Sequence, residues 1–150
     1  MSDDEINLCM LPQFNERGYL PPGIYETTWS ELKNRFGNGG HRQNILVGLE
    51  ATLKLLGQAG CQRVYLGGSF ISNKEYPNDF DGCYDDMNID YNLLDPIFDE
   101  DLSVQQDRFG GELLADPSFQ GCLLRPYADV KSAWAVRFFK QIEMVIPEES

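Results

Sequence analysis

The sequence has 150 residues, which suits one domain with a sizeable core. Its 24 acidic residues outnumber 12 Lys plus Arg, for a net charge of −12. That balance excludes an unassisted basic grip on nucleic acid, because neutralising phosphates needs clustered cations. A hydrophobic fraction of 42% argues against wholesale disorder, and no apolar stretch approaches the roughly 20 residues of a membrane span.

Residues 1–10 read as a flexible acidic tail. The start, Met1-Ser-Asp-Asp-Glu-Ile, lacks the basic and apolar regions of a signal peptide, so a cytoplasmic, reducing setting is expected. Cys9, Cys61, Cys83 and Cys122 lie far apart, with neither a CxxC pair nor a Cys-His pairing, and are expected to be free thiols. With His41 as the single histidine, a structural zinc site is not expected.

From Leu11 to Ile24, Pro and Gly punctuate an extended, turn-rich lead-in. Thr27 or Thr28 caps a short helix through Phe36, with Glu31 as capping-box partner of Thr28. A long helix runs from about His41 to Gln58, and its Ile45, Leu49, Leu53 and Leu56 fall on one face. His41 is expected to cap that helix or sit beside its start.

Arg63–Gly67 and Phe80–Tyr84 read as strands, joined by a loop through Ser72 to Asn78. A short helix over Tyr91–Phe98 is interrupted at Pro96, and Asp101 caps another over Leu102–Phe109. Gly110–Ala115 opens a third strand, and Asp116–Arg125 reads as a loop. Between Tyr127 and Ile146, Val130, Trp134, Phe138 and Ile142 suggest a helix, while Ile142–Ile146 could end as a strand. The order implies an α/β (α+β) domain with a short mixed sheet and helices mainly on one face.

The informative segment starts where a strand ends in Gly67-Gly68-Ser69. Glycines let backbone N–H groups approach an anion, and Ser69 adds a hydroxyl donor. Ten residues after Ser69 come Asp79 and Asp81. Positions i and i+2 of a strand share a face, so both carboxylates can meet one divalent cation while Phe80 turns to the core. Mg²⁺ prefers such hard oxygens and takes its other ligands from water and substrate phosphates.

This pattern, Gly68-Ser69…Asp79-Phe80-Asp81, resembles the signature of the DNA polymerase β-like nucleotidyltransferase superfamily. Leu20-Pro-Pro-Gly-Ile24, the long helix, Tyr65–Ile71 and Phe109–Leu113 look like an uncharacterised family of small bacterial and phage-borne proteins with that fold. The resemblance covers about residues 11–115 and implies a minimal nucleotidyltransferase-like domain over 11–150. It implies that Gly67, Gly68 and Ser69 hold nucleotide phosphates, with Lys74 as the nearest cation, and that Asp79 and Asp81 bind metal. A third carboxylate, acting as metal ligand or base, is expected on a neighbouring strand. Glu112 is the first candidate, ahead of Asp129 and Glu143. The implied cofactor is Mg²⁺ or Mn²⁺, the substrate a nucleoside triphosphate, and the acceptor a protein or nucleic-acid end. Such small enzymes belong, by analogy alone, to toxin–antitoxin or phage-defence systems.

Eleven carboxylates fall between Lys74 and Arg108 with no basic residue among them. They form either a solvated face that keeps the chain soluble or a surface for a basic protein partner. The second possibility makes the chain a catalytically silent binding module, an antitoxin or an inhibitor of a defence complex.

Overall fold

The computed structural model describes residues 11–21, 23–115 and 140–145; for residues 23, 24, 26 and 140–145 the description is confined to the backbone. In chain order the elements are β1 (Gly23–Thr27), α1 (Trp29–Phe36), α2 (Gly40–Gln58), β2 (Arg63–Gly67), β3 (Phe80–Tyr84), α3 (Leu102–Phe109), β4 (Gly111–Ala115) and β5 (Lys140–Val145). Short 3₁₀ turns span Ser69–Ile71 and Pro96–Asp99.

The five strands form one mixed sheet in the order β1-β5-β2-β3-β4. The pairs β1–β5 and β3–β4 are parallel, while β2 runs antiparallel to both β5 and β3. The chain is therefore an α+β domain with a short mixed sheet. Val64, Leu66, Phe80, Tyr84 and Leu113 join Leu32 and Phe36 of α1 and Ile45, Leu49, Leu53 and Leu56 of α2 in one buried cluster. Alternation along the strands sends Tyr65, Cys83 and Leu114 into a separate cluster. The predicted apolar face of the long helix is thus buried throughout.

Local signals explain most of the boundaries. The Thr28 hydroxyl accepts the Glu31 N–H at 3.1 Å and starts α1. The Asp101 carboxylate accepts the Ser103 N–H at 3.0 Å and starts α3, which ends at Gly110 in the left-handed region. Pro96 opens a 3₁₀ turn instead of interrupting a helix, because the Asp95 carboxylate accepts the Ile97 N–H and proline suits a first helical position.

Two strands were not legible in the same way. β1 begins on Gly23, the last residue of the Pro-Pro-Gly punctuation, and its first two residues belong to what reads as irregular lead-in. β5 overlaps the closing strand over Ile142–Ile146 that was one of two readings there, but its place between β1 and β2 is written in no local pattern. The loop at 116–125, the helical reading of 127–139, the tail at 1–10 and Asp129 fall outside the described residues. Cys61 is a buried free thiol, pushed up to about 11 by burial. Cys83 is disulfide-bonded, which corrects the expectation of free thiols there.

Candidate functional site

Strand register builds the site. Gly67 of β2 pairs with Asp81 of β3, and Asp81 pairs with Glu112 of β4. These three positions form one row across adjacent strands, so the Asp81 and Glu112 side chains emerge on the same face. Gly67 has no side chain to crowd Asp81. Gly68 follows at φ +80° and ψ −164°, a conformation open to glycine. A Cβ built on Gly68 lies 3.5 Å from Asp81 Cβ, so the Gly-Ser turn and the second motif are neighbours in space. Ser69, half-buried, starts the 3₁₀ turn, and its carbonyl accepts the Ser72 hydroxyl at 2.7 Å.

Asp79 stands just before β3, half-buried. Its Oδ2 accepts from the Gln106 side-chain amide at 3.0 Å, and the same amide donates to Glu112 Oε1 at 3.3 Å. The three predicted carboxylates are thus gathered by β-register on one side and by α3 on the other. Asp81 is exposed by its accessible area, yet protein on its remaining sides strips part of its hydration. That desolvation is the first cause pushing its carboxyl up to about 6; the charges of Glu112 and Asp79 add to the rise, and the Gly82 backbone hydrogen bond opposes it.

Gln106 was not foreseen. Its signal is a Gln105-Gln106 pair in a short helix six residues ahead of Glu112, which sequence alone ties to nothing. Gln105 is buried and pairs with both backbone groups of Leu113: its amide donates to Leu113 O at 3.3 Å, and its carbonyl accepts Leu113 N–H at 3.0 Å. This fixes α3 beside the edge strand β4 and sets Gln106 over the carboxylates.

The loop between the two motifs is held by the start of α2. Arg42 is 6% exposed and donates to four carbonyls: Phe36 at 3.0 Å, Phe70 at 2.8 Å, and Ser72 and Lys74 at 2.7 Å each. Burial lowers its pKa without removing its charge. Next to it, His41 Nε2 meets Pro77 O at 2.6 Å, and its ring stands edge-on to Tyr76. A cation such as Arg42 at a helix N-terminus opposes the helix dipole, and that was the available signal for it. His41 is accordingly beside the helix start, with a structural contact.

Lys74 is exposed and lines a different cavity of about 570 Å³, with Arg35, Asn38 and Glu75 among its walls. Its backbone is held by Arg42 and Ser72, through its carbonyl and its N–H. Glu143 lies in β5 at the register position of Tyr65, two rows away from Asp81 and Glu112.

Carboxylates are hard donors that suit Mg²⁺ or Mn²⁺. As they stand, no group of three His, Cys, Asp or Glu among the described residues could hold a metal ion. The donor chemistry fits the ion, while the spacing corresponds to carboxylates bridged by an amide.

What fold and site define is a small α+β domain with an acidic cluster beside a glycine turn. Residues 12–141 match the family of unknown function DUF6932, and the chain belongs to that family. No curated protein and no solved structure matches it. Among the described residues, no helix is long and apolar enough to cross a membrane.

Proposed function

We propose that this chain is a metal-dependent nucleotidyltransferase of minimal size. The observation that carries the reading is the row Gly67–Asp81–Glu112, with Asp79 and the Gly68 turn beside it. Gly68 and Ser69 would hold the terminal phosphates of a nucleoside triphosphate. An acceptor hydroxyl, on a protein or a nucleic-acid end, attacks the α-phosphorus in line. The new O–P bond forms as the bond to the bridging oxygen breaks, and pyrophosphate leaves. Glu112 would take the hydroxyl proton. A divalent ion held by Asp79 and Asp81 would supply charge neutralisation for the attacking and leaving oxygens.

The reading fits the cytoplasm, where nucleoside triphosphates are abundant. The Cys83 disulfide is the feature at odds with a reducing compartment. Counting free thiols in the purified protein, with and without reductant, tests that point.

Incubation with each labelled nucleoside triphosphate and Mg²⁺ tests the activity. Wild type should transfer label, and Asp79→Ala/Asp81→Ala should not. Absence of both transfer and nucleotide binding in wild type sinks the enzyme.

A second reading draws on a separate observation. Met87, Tyr91 and Leu93 are exposed at 75%, 59% and 62% within the acidic stretch. Large apolar side chains among carboxylates suit a basic protein partner. In that case the chain is a catalytically silent binding module, an antitoxin or an inhibitor of a defence complex. Substitutions at Met87 and Tyr91 would then abolish its cellular effect, and Asp79→Ala/Asp81→Ala would not.

A further inference from the structure

A cavity of about 570 Å³ lies apart from the carboxylate row, with Phe14, Arg35, Arg42, Ser72, Lys74 and Glu75 among its walls. It is bordered by the end of α1, the start of α2 and the loop after the Gly-Ser turn. Three of those walls are cations, in a chain with 12 Lys plus Arg and a net charge of −12. Glu75 is the one acid among the described residues that line it. We propose that this cavity binds a small organic phosphate of nucleotide size, its phosphate drawn to Arg35, Lys74 and the buried Arg42 charge. The site shares no residue with the Gly67–Asp81–Glu112 row and does not rest on the transferase reading.

Arg42 carries the argument. It is 6% exposed, and a charge so buried is ordinarily paired with an opposite one. Its partners are four carbonyl oxygens, which satisfy its N–H groups and leave its charge unneutralised. The first turn of α2 holds no acid to compensate it. Among the described residues, Lys54 and Glu50 form an ion pair, while Arg35, Arg42 and Lys74 pair with no carboxylate. Positive potential therefore collects at the cavity, where low-dielectric walls strengthen it. An anion from outside neutralises what the fold leaves charged.

Donors remain for that anion. Arg35 spends N–H groups on the Leu11 and Pro12 carbonyls and keeps others, since a guanidinium has five. Its guanidinium lies 4.5 Å from the Phe14 ring centroid, which holds it at the cavity wall. Lys74 is held through its backbone, so its exposed ammonium is available. A guanidinium and an ammonium are donors suited to phosphate. The volume exceeds what a bare phosphate needs and falls in the range of small-molecule sites. Half-buried Phe14 adds apolar surface for the organic part.

Calorimetric titration of the full chain with adenosine 5′-monophosphate tests the site, with adenosine and inorganic phosphate as separate titrants. EDTA keeps divalent ions, and with them the proposed reaction, out of the measurement. The nucleotide should bind wild type more tightly than either fragment. Arg35→Gln should weaken it about tenfold, the scale of one charge-assisted hydrogen bond, and Lys74→Gln about threefold, because that group is exposed. Glu75→Gln should tighten binding by removing the opposing charge. Lys54→Gln, the same loss of charge at an exposed position of α2, should leave it unchanged. Equal binding by wild type, Arg35→Gln and Lys74→Gln would put the nucleotide elsewhere and overturn the proposal. So would equal weakening by Lys54→Gln and Lys74→Gln, either fragment binding as well as the nucleotide, or no binding at millimolar nucleotide. Should Arg35→Gln fail to fold, Lys74→Gln and Glu75→Gln decide, since both side chains are exposed.

Discussion

Asp81 and Glu112 are register partners across the parallel pairing of β3 and β4, so two carboxylates stand side by side on one face of the sheet. Water loss and this crowding move the Asp81 carboxyl to about 6, against about 3.9 in an unfolded chain. Between those values the folded state holds the extra proton. The stability this group contributes is complete below about pH 4 and is lost as pH rises through about 6. Asp81→Asn should therefore be more stable than wild type at pH 7.5, with the gap narrowing toward pH 4.5. Because Asp81 is exposed, solvent screening keeps the effect well below that of a fully buried acid. Urea unfolding at the two pH values without divalent ions checks this, and parallel pH curves for both proteins would contradict it.

Gly68→Ala isolates the backbone requirement of the turn. An added Cβ meets Asp81 Cβ at 3.5 Å, an ordinary contact, so crowding is not the obstacle. The obstacle is φ +80° with ψ −164°, which costs a non-glycine residue about 1–3 kcal/mol. Thermal unfolding should show a loss of that size. A loss below about 0.5 kcal/mol would mean that the turn relaxes to another conformation.

Arg42→Lys should destabilise the fold by at least about 3 kcal/mol. A lysine ammonium cannot reproduce the fork that serves four carbonyls, and the carbonyls left buried lose their donors. The loss should centre on the loop between the motifs. Hydrogen exchange of residues 70–78 should rise in Arg42→Lys more than that of β2 and β3. Uniform loss of protection would count against a local clamp.

Gly48→Ala tests how α3 is placed. A Cβ at Gly48 of α2 would lie 1.7 Å from the Phe109 carbonyl oxygen, and both atoms belong to rigid backbone. The helices must part, which overpacking costs put at about 1–3 kcal/mol. The shift also carries Gln106 away from Asp79 and Glu112. Chemical shifts of the Gln106 side-chain amide should therefore move in Gly48→Ala, and unchanged shifts would show that α3 stays where it is.

Much of the scaffold was legible because its causes are local. Thr28 and Asp101 announce their helices by short-range hydrogen bonds. Ile45, Leu49, Leu53 and Leu56 announce one buried helix face, and the strands at Arg63–Gly67 and Phe80–Tyr84 stand where their β-branched and aromatic residues put them. β1 was hidden by the prolines before it and by its own first residue, Gly23, all of which read as turn residues.

The sequence by itself determined the parts of the candidate site: a glycine turn, a strand, and two aspartates spaced to share a face. Only the tertiary structure decided that Glu112 stands beside Asp81, that Gln106 bridges Asp79 and Glu112, and that Lys74 opens on another cavity. Spacing along a chain fixes neighbours within one element. Which elements lie side by side, and in what register, depends on the packing of the whole sheet, and β5, from the far end of the described chain, is inserted between β1 and β2.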